Sequence, residues 1–296
     1  MKSDLLRLSK RQTLTGLALS FPGALLLICL YAMPMIVLLV LGFTDYEMGA
    51  ININWVGFSN FKRLWVDPVF QRSIWNTLMY VVYVVPISVI GGLLIALLVH
   101  ARTKTRSFYE VVYFLPVTST LIAMATVWQF LLHPKLGPVN MIIQLVGFST
   151  QNFLGDPALM IPTLAAIGVW QLLGFNMILF LTGLSSIPKD LFEAASIDGV
   201  TQPLDKFFTV TLPMLGPTTM FVCVTSMITA FKVFDTVAVL TQGRNQSEVL
   251  LYDIYLEAFT YSNMGYAAVL TLTFLAVIVG LSTWQAKYID RKVHYT

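Results

Sequence analysis

Apolar residues fall in six long runs separated by short polar connections, and this alternation dominates the chain. The runs cover residues 16–43, 74–99, 111–132, 158–184, 214–240 and 265–286. Each has about the 20 apolar residues that a helix needs to cross a bilayer. Lipid offers no partner for backbone N–H and C=O groups, and the runs are too long for barrel strands, so we expect helices. The pattern predicts an all-α membrane protein with six transmembrane helices.

The basic residues predict the orientation of these helices. The N-terminal tail, the second and fourth connections and the C-terminal tail together hold twelve Lys and Arg, against five in the other three connections. Basic residues concentrate on the cytoplasmic side of membrane proteins. We therefore expect both termini to be cytoplasmic, with tails at residues 1–15 and 287–296, a membrane domain at 16–286 and a cytoplasmic loop at 187–213.

The first run is too long for a cleaved signal peptide and is interpreted as an anchor.

Composition and motifs exclude most other classes of protein. Charged residues are 11% of the chain, against roughly 25% in soluble domains, and hydrophobic residues are 57%. The net charge of +3 reflects topology and does not indicate a nucleic-acid partner. The sequence has no phosphate-binding loop, serine-hydrolase elbow or zinc helix, so we expect no catalytic residue, no metal and no ATP site in this chain. An intramembrane enzyme is disfavoured for the same reason.

The loop between the fourth and fifth runs predicts two short helices joined by a glycine turn. Residues 189–197 are good helix formers, and Gly199 stands where a left-handed residue ends a helix. Thr201 suits the N-cap of a second helix, and Pro203 suits its first turn. Leu212 and Pro213 then begin the fifth membrane helix.

Polar residues inside the fourth and fifth runs are the candidates for a solute pathway. Thr225, Thr229, Lys232 and Thr236 follow a spacing that places them on one helix face, flanked by Ser226 and Asp235. The fourth run adds Trp170, Gln171, Phe175 and Asn176. Rings with amide and hydroxyl groups suit a sugar, and ionisable groups inside a membrane usually face a cavity. Two alternatives remain open: Lys232 and Asp235 simply pair or snorkel, and the threonines merely bond back to helix carbonyls.

The loop resembles the coupling loop of ABC importer permeases, in which EAA and Gly are separated by three residues and Ile-x-Leu-Pro follows after nine more. The matching residues here are Glu193, Ala194, Ala195, Gly199, Val210 in place of Ile, Leu212 and Pro213. Ten residues separate Gly199 from Val210, so the turn carries one residue more than the pattern. The resemblance implies that this loop, with Asp198 beside Gly199, contacts an ATPase subunit, and that Glu193 anchors it.

Further motifs are similar to those of the carbohydrate-uptake group of these permeases, in the half that resembles the maltose-F and glycerol-3-phosphate-A subunits. They are 43-FTDY-46, 55-WVGFSNF-61, 76-NT-77, 114-FLP-116, 137-GPVN-140 and 234-FD-235. The group's T-G-G-G-P motif is replaced by 241-TQGRN-245, which is a clear departure.

The resemblance implies a type I ABC importer permease fold, in a multi-pass protein of the bacterial cytoplasmic membrane. It also implies a sugar or sugar-like solute, and it implies partners: a second homologous permease, two ABC ATPase subunits that carry ATP and Mg²⁺, and a periplasmic or lipid-anchored solute-binding protein. A stand-alone secondary transporter of small polar solutes is the alternative. It would have no use for a structured cytoplasmic loop and should show inverted repeats, which this sequence does not display.

Overall fold

Helices dominate the described part of the chain. The computed structural model describes the backbone of residues 2–290, and within that range extended pairing is limited to isolated bridges between Thr44 and Trp55 and between Glu47 and Asn263. The α-helices are α1 (Lys2–Leu27), α2 (Met33–Leu41), α3 (Ser59–Val66), α4 (Pro68–His100), α5 (Arg106–Thr118), α6 (Leu121–Leu131), α7 (Pro138–Leu145), α8 (Pro157–Ser185), α9 (Lys189–Ile197), α10 (Pro203–Lys206), α11 (Leu212–Met214), α12 (Gly216–Phe231), α13 (Leu250–Tyr255) and α14 (Met264–Asp290). Single π-helical turns lie at Ile28–Ala32, Phe207–Thr211, Val237–Thr241 and Leu256–Thr260.

Four of the six predicted spans are long apolar helices. They are Thr15–Leu41, Pro68–His100, Pro157–Ser185 and Met264–Gln285. The first is continuous with α1, so the helix begins at Lys2, inside the predicted N-terminal tail. Helix α14 reaches Asp290, and residues 291–296 of the predicted C-terminal tail lie outside the described residues.

The third predicted span is wrong as a single helix. Helices α5 and α6 meet at an angle of 98°. If this pair and a second bent pair, Pro203–Met214 with Gly216–Phe231, each count as one span, the described chain has up to six. Ser119 and Thr120 have extended backbone between them. The hydroxyls of Thr118 and Ser119 donate to the Leu115 carbonyl at 2.9 and 3.3 Å, which supplies a partner that the ended helix no longer provides.

The fifth predicted span is also interrupted, at both of its ends. The helical stretch Pro203–Met214 meets α12 at 68°, so Leu212 and Pro213 end that stretch instead of beginning the membrane helix. Helix α12 then stops at Phe231, and helical structure resumes only at Asp235. The predicted continuous helix over 214–240 is therefore wrong.

The described chain divides into two compact units. The first consists of residues up to Val66 together with Ile254–Thr273. In it Asn60 donates to the carbonyls of Gly42 and Thr44 at 3.0 and 2.8 Å, which fixes the turn after α2. Arg63 pairs with Glu257 at 2.8 Å, and its guanidinium lies 3.7 Å from the centroid of the Tyr266 ring.

The second unit consists of Asp67–Asp253 together with residues from Phe274 onwards, and helix packing dominates it. Helix α4 packs along α8, and both contact α12. Gly92 permits the close approach of α4 and α8, since a Cβ at this position would lie 2.7 Å from the Asn176 Cβ. A buried apolar cluster continues from these helices to the loop that contains α9.

A polar clamp at the start of α4 holds the segment that follows the broken fifth span. Asn76 donates to the carbonyls of Gln246 and Glu248 at 2.7 and 2.8 Å, and Thr77 Oγ1 accepts from Leu250 N–H at 2.9 Å. Arg72 lies 3.4 Å from Glu248. The clamp explains why 76-NT-77 stands out in the sequence.

The clamped segment is the one that departs from T-G-G-G-P, and its backbone is strained. Gln242, Asn245 and Gln246 have φ values of 52°, 54° and 67°, in the left-handed region that glycine adopts more easily. Each such residue costs of order 1–3 kcal/mol and persists only where its surroundings hold it. The hydrogen bonds from Asn76 supply that restraint.

Candidate functional site

A cavity of about 410 Å³ lies in the second unit where two broken helices meet. Val117 and Leu121 line it from either side of the α5–α6 break, and residues 228–230 and 232–236 line it from the end of α12 through the next break. Helix α8 and Tyr80 complete the wall. Cavities bounded by interrupted helices are typical of solute sites in membrane transporters.

Besides Thr236, five of the predicted pathway residues line this cavity. They are Gln171, Phe175, Thr229, Lys232 and Asp235. They place an amide, a ring, a hydroxyl, an ammonium and a carboxylate around one space. This set offers both hydrogen-bond donors and acceptors beside an apolar face.

Lys232 and Asp235 do not form a salt bridge with each other, although both are described residues. Lys232 is the C-cap of α12, and its backbone N–H bonds to carbonyls of the last turn. Asp235 follows Phe234, whose carbonyl accepts from Ala238 N–H at 2.8 Å, and therefore stands in the first turn of the next helical stretch. A cation at a helix C-terminus and an anion at a helix N-terminus are both favourable. Each charge is thus stabilised by its own helix end, and the pairing alternative is not what the structure shows.

The predicted threonine stripe is only partly correct. The break after Phe231 removes Thr236 from the helix face of Thr225 and Thr229. Thr225 donates to the Phe221 carbonyl at 2.8 Å and Thr229 to the Thr225 carbonyl at 2.9 Å, as the second alternative expected. Thr229 still lines the cavity, whereas Thr225 does not.

Three other predicted pathway residues lie away from the cavity lining. Asn176 is fully buried, donates to Ser88 Oγ at 3.3 Å and accepts from Ser226 Oγ at 3.0 Å. This triad joins α4, α8 and α12. Trp170 packs edge-on against Trp128, with ring centroids 5.5 Å apart. Sequence spacing could not separate these interhelical contacts from cavity contacts, because both need polar or aromatic residues on an inward face.

Tyr80 is a lining residue that the sequence analysis missed, and Thr236 was noticed only as part of the stripe. Tyr80 is 5% exposed and Thr236 2%. A tyrosine in an apolar helix resembles ordinary core, so the sequence carried no signal for it. A signal for Thr236 existed in the spacing, but the side chain reaches the cavity by way of the helix break.

The loop between α8 and α12 forms a second candidate site, which we call the knob (residues 187–214). Helix α9 has the predicted bounds, and Gly199 has φ +89°. Val200 N–H bonds to the Ala195 carbonyl at 2.9 Å and Gly199 N–H to that of Ser196 at 3.2 Å, which is the Schellman arrangement. The predicted Thr201 cap is wrong, because Gln202 occupies the N-cap position and makes no side-chain cap bond.

The knob has a buried face and an exposed face. Ala195 is 7% exposed and packs with Val210 and Leu215 in the apolar cluster of the second unit. Glu193, Ala194, Asp198 and Gly199 are exposed. Among the exposed large apolar side chains of the knob, Ile197 at 87%, Leu204 at 69% and Phe208 at 63% are the most exposed. Exposed apolar groups in a charged loop are typical of a protein–protein contact surface.

Comparison with known proteins agrees with a membrane transport subunit. Residues 66–295 match the family described as the binding-protein-dependent transport system inner membrane component. The probable ABC transporter permease YesP of Bacillus subtilis is 32% identical over 281 residues, which are 93% of this chain and 89% of that protein. The sn-glycerol-3-phosphate transport system permease UgpA of Pectobacterium atrosepticum is 30% identical over 250 residues, 83% of each chain.

A solved structure has the same fold. A chain of a bacterial ABC transporter involved in the import of the acidic polysaccharide alginate superposes with a TM-score of 0.83 at 23% identity, covering 97% of this chain and 99% of that one. The family match and the relatives identify a multi-pass subunit of a membrane importer. The chain belongs to the binding-protein-dependent inner-membrane permeases of ABC importers.

Proposed function

We propose that this chain is one of two homologous permease subunits that together move a sugar or sugar-like solute (an oligosaccharide, a glycoside or a glycerol phosphate) into the cell. Two ABC ATPase subunits hold ATP and Mg²⁺, and a periplasmic or lipid-anchored binding protein delivers the solute. The observation that carries the proposal is the cavity at the α12 break, with its mixed donors, acceptors and rings.

The chemistry of the cavity suits a polyhydroxylated solute. Sugar hydroxyls both donate and accept hydrogen bonds, which matches the amide of Gln171 and the opposite charges of Lys232 and Asp235. The exposed Phe175 offers an apolar face for sugar C–H groups. The solutes named for UgpA and for the alginate transporter are a polyol phosphate and a polysaccharide, which is consistent with this range.

The knob supports coupling to an ATPase. Its exposed face combines apolar side chains at Ile197, Leu204 and Phe208 with the carboxylate of Glu193, and its backbone is fixed by the Schellman arrangement. We infer that Glu193, Ala194, Asp198 and the Gly199 turn face the ATPase, while Ala195, Leu212 and Pro213 join the knob to the membrane helices. A stand-alone secondary transporter would leave this exposed apolar surface without a partner.

Reconstitution of the complete transporter tests the proposal. The chain is combined in proteoliposomes with its partner permease, ATPase subunit and binding protein, and maltose, sn-glycerol 3-phosphate and an alginate trisaccharide are offered in turn. We expect one of these solutes to accelerate ATP hydrolysis and to enter the vesicles. Glu193→Lys should remove uptake while the subunit remains inserted. Uptake by this chain without any ATPase would favour the secondary transporter instead.

A further inference from the structure

Two hydroxyl groups at the buried end of the cavity have no evident structural purpose. Thr236 is 2% exposed, and its Oγ1 has no hydrogen-bond partner among the described residues. Tyr80 is 5% exposed, and no hydrogen bond joins its side chain to another residue in the described part of the chain. Both residues line the same cavity, although one lies in α4 and the other beyond the α12 break.

Gly168 makes room for one of these hydroxyls. A Cβ at Gly168 would collide with the Tyr80 hydroxyl, so α8 has a glycine where the phenol approaches it. The Thr236 hydroxyl is buried without a partner in the described chain, which is unfavourable, and valine would fill the same space without that penalty, whereas Tyr80 lines the cavity. Such unsatisfied groups in a native protein call for an explanation, and a ligand that supplies the partner is one.

The charged residues of the cavity lie at its more exposed end. Lys232 and Thr229 are exposed and Asp235 is half-buried, in contrast to Tyr80 and Thr236. The cavity therefore has a charged, more exposed end and an uncharged, buried end. An ion would lose its hydration at the buried end without a counter-charge, whereas a sugar hydroxyl can both donate to and accept from Tyr80 and Thr236.

We propose that the hydroxyls of Tyr80 and Thr236 form an uncharged floor that hydrogen-bonds a hydroxyl-bearing part of the transported solute. Any charged substituent of the solute stays beside Lys232 and Asp235. This inference rests on the proposed function and adds two solute contacts to it. Neither residue belongs to the knob, so their effect should be on solute affinity and not on coupling.

Two substitutions that remove only the hydroxyl test the floor. Tyr80→Phe and Thr236→Val are introduced into the assembled transporter, and uptake is measured with whichever of maltose, sn-glycerol 3-phosphate and the alginate trisaccharide the unaltered protein accepts. Losing one hydrogen bond to the solute should raise the KM for uptake about three- to tenfold in each variant. The maximal rate of ATP hydrolysis should change less than twofold. Gly168→Ala, which displaces the Tyr80 hydroxyl, should raise KM in the same direction.

Thermal unfolding of the assembled transporter without solute separates a solute contact from a structural role. Because no residue of the described chain partners either hydroxyl, Thr236→Val and Tyr80→Phe should leave the midpoint unchanged or raise it. Tyr83→Phe, one turn away from Tyr80 and outside the cavity lining, and Thr271→Val, whose hydroxyl bonds to its own helix at 2.8 Å, are the matched controls for uptake.

Two outcomes would overturn the floor: an unchanged KM in both variants, or a lowered midpoint that accompanies the loss of uptake. If the unaltered transporter accepts none of the three solutes, the proposed solute range fails. In that case the thermal midpoints of Tyr80→Phe and Thr236→Val still show whether the two hydroxyls stabilise the protein by bonding within it.

Discussion

Lys232 and Asp235 show how two charges three residues apart are stabilised separately. One is the C-cap of α12 and the other stands in the first turn of the next helical stretch, so each is matched to a helix end. Neither depends on the other for charge compensation. Both side chains are thereby left available to the cavity.

Removing the ammonium should therefore affect transport more than stability. We expect Lys232→Met to raise the KM for uptake about tenfold, as for a lost hydrogen bond to a charged group, with a thermal midpoint close to that of the unaltered protein. Thr229→Val should have a smaller effect in the same direction. Lys135→Met, at an exposed position outside the cavity lining, is the control. A large drop in midpoint that Asp235→Asn reverses would instead show that the two charges pair.

The turn at Gly199 should tolerate only residues that adopt positive φ. Nothing lies within 4 Å of a Cβ built at Gly199, so the constraint is its φ of +89° and not space. Gly199→Val should strain the turn by roughly 1–3 kcal/mol and abolish uptake. Gly199→Asn, which enters the left-handed region more readily, should retain part of the uptake. Equal activity of the two variants, measured at equal amounts in the membrane, would contradict this account.

Individual residues were predictable where local backbone geometry decides their role. Gly199 follows from the end of a helix and needs no tertiary information. Asn176, Ser226 and Trp170 were not separable from Gln171 and Phe175, because sequence spacing says which residues face inwards but not whether they meet a neighbour or a cavity. The break after Phe231, which the spacing did not predict, removes Thr236 from the helix face that carries Thr225 and Thr229.

Among the elements, the knob has a buried and an exposed alanine side by side. Ala195 is enclosed by the apolar cluster, whereas Ala194 is exposed. Ala195→Leu should overpack the cluster and destabilise the subunit by about 1–3 kcal/mol. Ala194→Leu should leave the thermal midpoint unchanged and reduce only the ATPase activity that solute stimulates. A midpoint that falls equally in both variants would mean that the two faces are not distinct.

The clamp on the segment after α12 should be important for stability. Asn76→Leu removes the donor to two carbonyls of segment 242–250, and each lost hydrogen bond should cost about 0.5–1.5 kcal/mol. We expect a clearly lower midpoint in the thermal unfolding of the purified subunit. Asn52→Leu, at an exposed position, should have no such effect. The clamp assignment fails if the two variants unfold alike.

Element prediction succeeded for uninterrupted apolar runs and failed at the bends. Spans one, two, four and six are long apolar helices in the structure, because hydropathy is all that such a helix requires, although α4 begins at Pro68, six residues before the predicted start of span two. The α5–α6 and α11–α12 bends depend on a few residues, such as Ser119, Thr120 and Leu215, that barely change the hydropathy of a run. The hydropathy pattern that predicts the spans therefore gives no indication of these two bends.

For the molecule as a whole, the absence of a phosphate-binding loop from the sequence leads to a direct expectation. The purified chain alone should neither bind nor hydrolyse ATP, because it has no loop of backbone N–H groups to hold the phosphates. Equilibrium binding of a fluorescent ATP analogue tests this, with the assembled transporter as the positive control. Saturable binding to the isolated chain would contradict the expectation.

The burial of Ala195 has a mechanical consequence. The apolar cluster that receives it also contains Val99 near the end of α4, Leu184 near the end of α8, and Val222 of α12. Packed protein interiors have low compressibility and transmit strain. A force applied to the exposed face of the knob would therefore act on α4, α8 and α12 together, because the cluster between them deforms little. A small displacement of the knob should therefore move α4, α8 and α12 together. A substitution that leaves a cavity in the cluster should weaken this coupling between the knob and the helices, even where every surface contact of the knob is intact.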